Sequence, residues 1–239
     1  MADLIKEQFQ AFNSAADMEY AARDYIAQTL HNSIAERGRA NVLLSGGSSP
    51  RTIYQSLSTL DLAWDKVTCG LVDERWVAID EAGSNAAFIH ETLLQNKATA
   101  AKFIPMTTAH KTAQEGAKTI SDLYAKNFMP LDLCIMGMGL DGHTASWFPT
   151  SPDLRSALDI YNPNFTLALD AKGCPVAGEH TERISLSLPA ILSARHIILL
   201  IAGDKKRAVL EKSIDQSVYY APVKALLSAG PRLSIFWGA

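Results

Sequence analysis

The sequence has few cysteines, no excess of basic residues and no long apolar run. Its 239 residues include only three cysteines, Cys69, Cys134 and Cys174, too widely spaced for a disulfide framework or a C-x-x-C metal site. Lysine and arginine total 22 against 25 acidic residues, so the net charge of −3 provides no broad positive field for nucleic acid. The longest apolar run, residues 197–202, is far shorter than the roughly 20 residues of a membrane span.

Signals for targeting and for separate domains are also missing. No positively charged stretch precedes an apolar core in the N-terminal MADLIKEQFQAF, so no signal peptide is expected. No repeat, low-complexity tract or change in composition marks a linker. We therefore expect a cytoplasmic protein in which residues 1–239 form a single domain, with no nucleic-acid, membrane or obligate protein partner.

Short apolar segments alternate with segments of helical pattern along the chain. The first long helix is predicted to begin at a cap formed by Asn13 or Ser14 and to end at Gly38. Strands are predicted at residues 41–44, 67–72, 103–105, 131–136, 165–169, 183–186, 196–201 and 233–237. Alternation of buried strands with helices predicts an α/β fold, a mostly parallel sheet covered by helices on both faces.

Four of these strands lead directly into glycine-rich or charged loops. The loops are SGGSSP at 45–50, DER at 73–75, GMGLDGH at 137–143 and GDKK at 203–206. Ligands of parallel sheets bind beyond the carboxyl ends of the strands, so these loops are expected to gather along one edge. Together they supply backbone N–H groups, Arg75, Asp141, His143 and Lys205 or Lys206, a combination that indicates a small anionic ligand.

Two of the loops contain glycine patterns associated with phosphate binding. Gly46 and Gly47 precede a predicted helix, where free N–H groups and the helix dipole favour a phosphate, although an ordinary strand-to-helix turn fits equally well. The 137–142 segment is a literal G-x-G-x-x-G, but prolines at 149 and 152 prevent the regular helix that a dinucleotide site requires. No nucleotide cofactor is expected.

His143 is the candidate general base because it lies two residues after Asp141 at a strand end, where a carboxylate can orient the ring. The other five histidines are scattered without metal-ligand spacing, so no metal is expected. By spacing alone, Arg183 begins a strand and is interpreted as a member of a surface ion pair. The cations at 205–207 open a helix, where a bound anion or a solvated patch would explain them equally well.

Several segments resemble those of 6-phosphogluconolactonases, in the order expected of that family. They are LLSGGSSP, VDERWV followed by SNAAFIHETLL, DLCIMGMGLDGHTASWFP, ERISLSLPAIL and IAGDKKRAVL, spanning residues 40–210. The resemblance implies a Rossmann-like α/β fold, no cofactor or metal, and hydrolysis of 6-phospho-D-glucono-1,5-lactone to 6-phosphogluconate in the oxidative pentose phosphate pathway.

The resemblance also assigns roles to particular residues. It implies that His143 is the catalytic base and that Asp141 lines the site. It places Arg75 near the reacting end of the substrate. The phosphate is implied to bind a set of loop residues and cations, namely Gly46, Gly47, Ser48, Arg183 and Lys206.

Two other functions remain open at this point. Glucosamine-6-phosphate deaminases share the superfamily, but the glutamate that assists their histidine is absent from residues 145–149, and Arg75 replaces a neutral aromatic residue. A sugar-phosphate-binding regulator without catalysis is the third possibility, against which the intact Asp141 and His143 argue.

Overall fold

The computed structural model of the chain describes residues 3–239. This part of the chain forms ten strands: β1 (Phe9–Phe12), β2 (Ala40–Leu44), β3 (Val67–Leu71), β4 (Asp73–Arg75), β5 (Lys102–Phe103), β6 (Leu133–Gly137), β7 (Thr166–Asp170), β8 (Glu182–Leu186), β9 (His196–Ala202) and β10 (Leu233–Gly238). Its α-helices are α1 (Asp3–Lys6), α2 (Ala15–Arg37), α3 (Arg51–Leu57), α4 (Asn85–Thr92), α5 (Ala113–Phe128), α6 (Leu154–Ala157), α7 (Leu188–Leu192) and α8 (Asp204–Ser213).

Seven strands form one sheet in the order β1-β10-β9-β6-β2-β3-β5, and every adjacent pair is parallel. The inner strand β2 is buried at every position, which requires cover on both faces of the sheet. The predicted α/β fold with a mostly parallel sheet is therefore confirmed. Cys69 and Cys134 are fully buried in this sheet, as expected, and burial raises the pKa of the Cys69 thiol to about 12.

The predicted strands at 165–169 and 183–186 form, but they belong to a second, antiparallel sheet of order β4-β8-β7. DER, expected to be a loop, is the strand β4 of this sheet. Val72 connects the two sheets, since its N–H donates to Leu44 O at 3.0 Å and its carbonyl accepts from Leu186 N at 2.9 Å. The chain thus crosses from one sheet to the other through a single residue.

The long helix α2 begins and ends where the sequence predicts. The hydroxyl of Ser14 accepts a hydrogen bond from Asp17 N at 3.1 Å, which satisfies one of the free N–H groups at the helix start. Gly38 ends the helix in the left-handed region, with φ of 73°, and its N–H donates to Ile34 O at 2.8 Å. Local capping therefore explains both boundaries.

We expect Ser14→Ala to lower the free energy of unfolding by about 1 kcal/mol, the usual loss when a capping side chain is removed. Ser14→Asn keeps an uncharged acceptor beside the Asp17 carboxylate and should stay within a few tenths of a kcal/mol of the wild type. Urea denaturation of the three proteins measures the difference. Equal midpoints for the alanine and asparagine variants would show that the cap does not contribute.

Candidate active site

A cleft of about 240 Å³ opens at the carboxyl ends of β2, β3, β6 and β9. Seven of the eight predicted site residues line it: Gly46, Gly47, Ser48, Arg75, His143, Arg183 and Lys206. Asp141 is not part of the lining but lies directly behind His143. The strand-end loops therefore meet at one edge of the sheet, as the sequence predicts.

The glycine loop after β2 exposes its backbone to the cleft. The N–H groups of Gly46, Gly47 and Ser48 donate to no acceptor among residues 3–239. Gly46 must lack a side chain because a Cβ there would overlap the side-chain amide of Asn85. Unused N–H groups with close access to a ligand favour an oxyanion such as phosphate.

His143 and Asp141 form a hydrogen-bonded pair in the loop that follows β6. The imidazole Nδ1 lies 2.5 Å from Asp141 Oδ1, and the His143 backbone N–H donates to the same oxygen at 3.2 Å. Partial burial acts to raise the pKa of Asp141, but the hydrogen bonds and charge of His143 outweigh it, so the pKa falls below its ordinary value. An ionised Asp141 holds the proton on Nδ1, which leaves Nε2 as the acceptor of a neutral ring.

Arg75 and Arg183 face each other across the second sheet, as directly opposed residues of β4 and β8. The surface ion pair predicted for Arg183 by spacing is wrong: the side chain is only 3% exposed, and it donates to Ala177 O at 2.6 Å. The Nε atoms of both arginines are buried without a hydrogen-bond partner, and in the described part of the chain neither side chain forms a salt bridge.

Burial lowers the pKa of Arg183, with the Arg75 charge acting in the same direction and the Asp73 charge opposing it. Opposed like charges destabilise a strand pair, and a buried cation without a partner has a large desolvation cost. Arg183 is buried and Arg75 half-buried, and each donates to a backbone carbonyl, Ala177 O and Gly83 O respectively, rather than to a carboxylate. Two opposed arginines without a salt bridge among residues 3–239 indicate that an anion completes the site.

Lys206, rather than Lys205, faces the cleft. Its side chain is half-buried, its Nζ donates to Ser49 Oγ at 3.2 Å, and burial lowers its pKa. Lys205 is exposed and lies outside the cleft, while Arg207 pairs with Glu211 at 3.0 Å. The position of Lys206 at the start of α8 brings a third cation to the glycine loop.

The comparisons with known proteins agree with this geometry. Residues 13–237 match the family model described as glucosamine-6-phosphate isomerases/6-phosphogluconolactonase. The chain belongs to this family. A 6-phosphogluconolactonase of Mesorhizobium japonicum is 36% identical over 230 residues, covering 96% of this chain and 94% of that one. A 6-phosphogluconolactonase structure from Shewanella baltica superposes with a TM-score of 0.90 at 36% identity, covering 98% of this chain and 99% of that one.

Among the cleft-lining residues that sequence reasoning did not select are Asp73, Asn85 and Phe148. Asp73 is buried, accepts from Ser146 Oγ at 2.6 Å, and its backbone carbonyl accepts from Asn85 Nδ2 at 2.8 Å. Its position immediately after the predicted strand at 67–72 is a signal that the sequence did contain. Phe148 carried no such signal, because a phenylalanine in an apolar segment is predicted to be an ordinary residue of the hydrophobic core.

Among residues 3–239, no group of three His, Cys, Asp or Glu side chains is placed to hold a metal ion. No helix in the same range is long and apolar enough to cross a membrane. The expectation that the activity needs no metal stays a prediction.

The His143 and Asp141 side chains pack directly against the backbone of Gly139. A Cβ at this position would overlap the imidazole ring and lie 2.6 Å from Asp141 Oδ1. We expect Gly139→Ala to lower kcat by roughly 10²-fold, because a displacement of about 1 Å is enough to misalign a catalytic group. The control is Leu140→Ala, which shortens an exposed side chain in the same loop. Wild-type turnover by a folded Gly139→Ala protein would contradict this account of the pair.

Proposed function

We propose that this chain is a 6-phosphogluconolactonase, which hydrolyses 6-phospho-D-glucono-1,5-lactone to 6-phosphogluconate in the oxidative pentose phosphate pathway. The observation that carries the proposal is one cleft that contains an Asp-oriented histidine together with three cations that form no salt bridge within residues 3–239. A phosphorylated ester needs both features, a base for water and positive charge for the phosphate. The 36% identical lactonases, matched over nearly their whole length, support the same reaction.

In the proposed mechanism, neutral His143 accepts a proton at Nε2 from water as the water oxygen attacks the lactone carbonyl carbon. Arg75 or loop N–H groups stabilise the negative charge that develops on the carbonyl oxygen. The bond between that carbon and the ring oxygen then breaks, and the imidazolium returns its proton to the departing ring oxygen. The product is a carboxylic acid with a free hydroxyl, and the acid ionises in water.

The phosphate is proposed to bind where the glycine loop meets two of the cations. Gly46, Gly47 and Ser48 offer N–H groups without acceptors, and Lys206 reaches this loop through Ser49. Arg183 supplies a buried guanidinium with an unused Nε–H. Binding of a dianion here would offset the cost of burying these cations, so affinity for the phosphorylated substrate follows from the same arrangement.

A deaminase activity is the second candidate, because the matching family model includes glucosamine-6-phosphate isomerases. The described geometry favours hydrolysis, since Asp141 is the one carboxylate within hydrogen-bond distance of His143 in residues 3–239. The segment at 145–149 that follows contains no acidic residue. Incubation with glucosamine 6-phosphate and measurement of released ammonia distinguishes the two activities.

We also propose that residues 1–239 act as one domain in the cytoplasm, on a small sugar-phosphate lactone, without nucleic acid, membrane or an obligate protein partner. The cleft supports the single domain, because its lining residues come from positions 45 to 206. The decisive test of the activity is acid release from freshly prepared 6-phosphogluconolactone, corrected for spontaneous hydrolysis. A rate equal to the spontaneous one would overturn the proposal.

We expect His143→Ala to lower kcat by roughly 10²-fold or more, the usual contribution of a general base. His31→Ala is the matched control, since His31 is exposed on α2 and outside the cleft. Both are measured by the same acid-release assay, with circular dichroism to check folding. Near-wild-type kcat in the folded His143 variant would exclude its role as the base.

For the phosphate site, we expect Arg183→Ala and Lys206→Ala each to raise KM by about tenfold to a hundredfold, because a charge-assisted hydrogen bond contributes roughly 1.5–3 kcal/mol. Lys205→Ala removes an exposed neighbouring cation and should leave KM unchanged. Unphosphorylated gluconolactone offers these residues nothing to bind, so its hydrolysis should be nearly indifferent to both substitutions. Equal losses of kcat/KM on the two lactones would refute the phosphate assignment.

A further inference from the structure

One aromatic ring contacts both the candidate base and the candidate phosphate-binding arginine. Phe148 is 3% exposed and lines the cleft. Its ring centroid lies 4.7 Å from that of His143, at an interplanar angle of 39°. The guanidinium carbon of Arg183 lies 5.7 Å from the same centroid. The candidate base and the candidate phosphate ligand thus pack against the same phenylalanine ring.

Each of these groups has few hydrogen bonds. Among the described residues, the His143 side chain has one hydrogen-bond partner, Asp141, and a single bond at Nδ1 does not by itself fix the rotation of the ring. The backbone of Gly139 lies close to the ring and Phe148 packs against it, so these two contacts supply the rest of its support. The Arg183 guanidinium has one hydrogen bond, to Ala177 O, while its Nε is unpaired. Packing against a rigid aromatic ring is therefore a major restraint on the position of both side chains.

Phe148 also supports the acceptor of the Arg183 hydrogen bond. It forms a small buried cluster with Ala171, Cys174 and Ala177, separate from the main core. Ala177 is the residue whose carbonyl accepts from Arg183. Loss of the ring would loosen this cluster and the guanidinium together, whereas the main core would keep its own contacts.

We propose that Phe148 is a positioning residue that aligns the His143 imidazole with the Arg183 guanidinium, so that the reacting carbonyl meets the base when the phosphate is bound. This inference rests on the proposed function. Phe148 touches no reacting atom in this account; it acts through His143 on kcat and through Arg183 on KM. Substitution of a residue that only filled the core would lower the stability of the protein but would not change kcat and KM through separate contacts.

The test compares Phe148→Leu with Phe165→Leu, a matched loss of a buried phenylalanine outside the cleft. We expect Phe148→Leu to lower kcat about tenfold and to raise KM about fivefold on the phosphorylated lactone. Phe165→Leu should lower the unfolding midpoint while leaving both constants within twofold. Phe148→Tyr retains an aromatic ring and should recover most of both losses, and Phe148→Met serves if the leucine variant does not fold.

A double-mutant cycle supplies the deciding measurement. In an Arg183→Ala background, Phe148→Leu should no longer raise KM but should still lower kcat about tenfold, because its route to KM has been removed. The same fold-changes in both backgrounds, or constants that match those of the Phe165 control, would overturn the inference. Wild-type protein that fails to hydrolyse the lactone would instead refute the proposed function itself, so the two failures are distinguishable.

Discussion

The two opposed arginines of β4 and β8 place uncompensated positive charge beside the cleft, and the rest of the candidate site is arranged around that charge. Antiparallel register places Arg75 directly across from Arg183, and each has a buried Nε without a partner. A folded protein tolerates such a pair when the surrounding structure is stable enough to impose it and when function supplies the missing counter-charge. The parallel sheet behind them provides that stability: β2 is buried at every position and β9 at each of its five inner positions.

A buried carboxylate fixes the segment on which Arg75 lies. Glu74 accepts backbone N–H bonds from Arg75 at 2.8 Å and from Asn85 and Ala86 at 2.7 Å each. Burial raises the pKa of Glu74, against the lowering effect of these hydrogen bonds. Its oxygens occupy the N-terminal end of α4, so this helix end is already satisfied by the protein, whereas the N–H groups of the glycine loop before α3 have no acceptor among residues 3–239.

The sequence predicted those parts of the site that depend on local pattern. Apolar strands followed by glycine or charge identified the loops bearing Gly46, His143 and Lys206, because parallel strands end at a common edge. Arg183 could not be placed in this way, since its β8 strand belongs to an antiparallel sheet whose pairing joins residues over 100 positions apart. Spacing therefore predicted an exposed ion pair where the fold buries the side chain.

Phe148 and β1 escaped prediction for related reasons. A buried aromatic residue looks the same in a sequence whether it packs against leucines or, as Phe148 does, against a histidine in a cleft, and only tertiary structure separates the two cases. β1 is four residues long and half-exposed, too short for a periodic signal, and it forms through pairing with β10 at the far end of the chain. Long-range contacts thus account for what local pattern missed.

The edge strand β1 pairs with β10, and β10 in turn contacts the loop that leads to Lys206 in the cleft. Phe9 stacks on Trp237 at 6.3 Å, and the indole N–H of Trp237 donates to Gly203 O, the residue that precedes the helix of Lys206. Removal of β1 would therefore take away the aromatic partner of Trp237, whose indole holds the residue at which the helix of Lys206 begins. Without β1, the apolar strand β10 would present unpaired backbone groups to the same strand of another molecule, the geometry from which edge-to-edge aggregates grow.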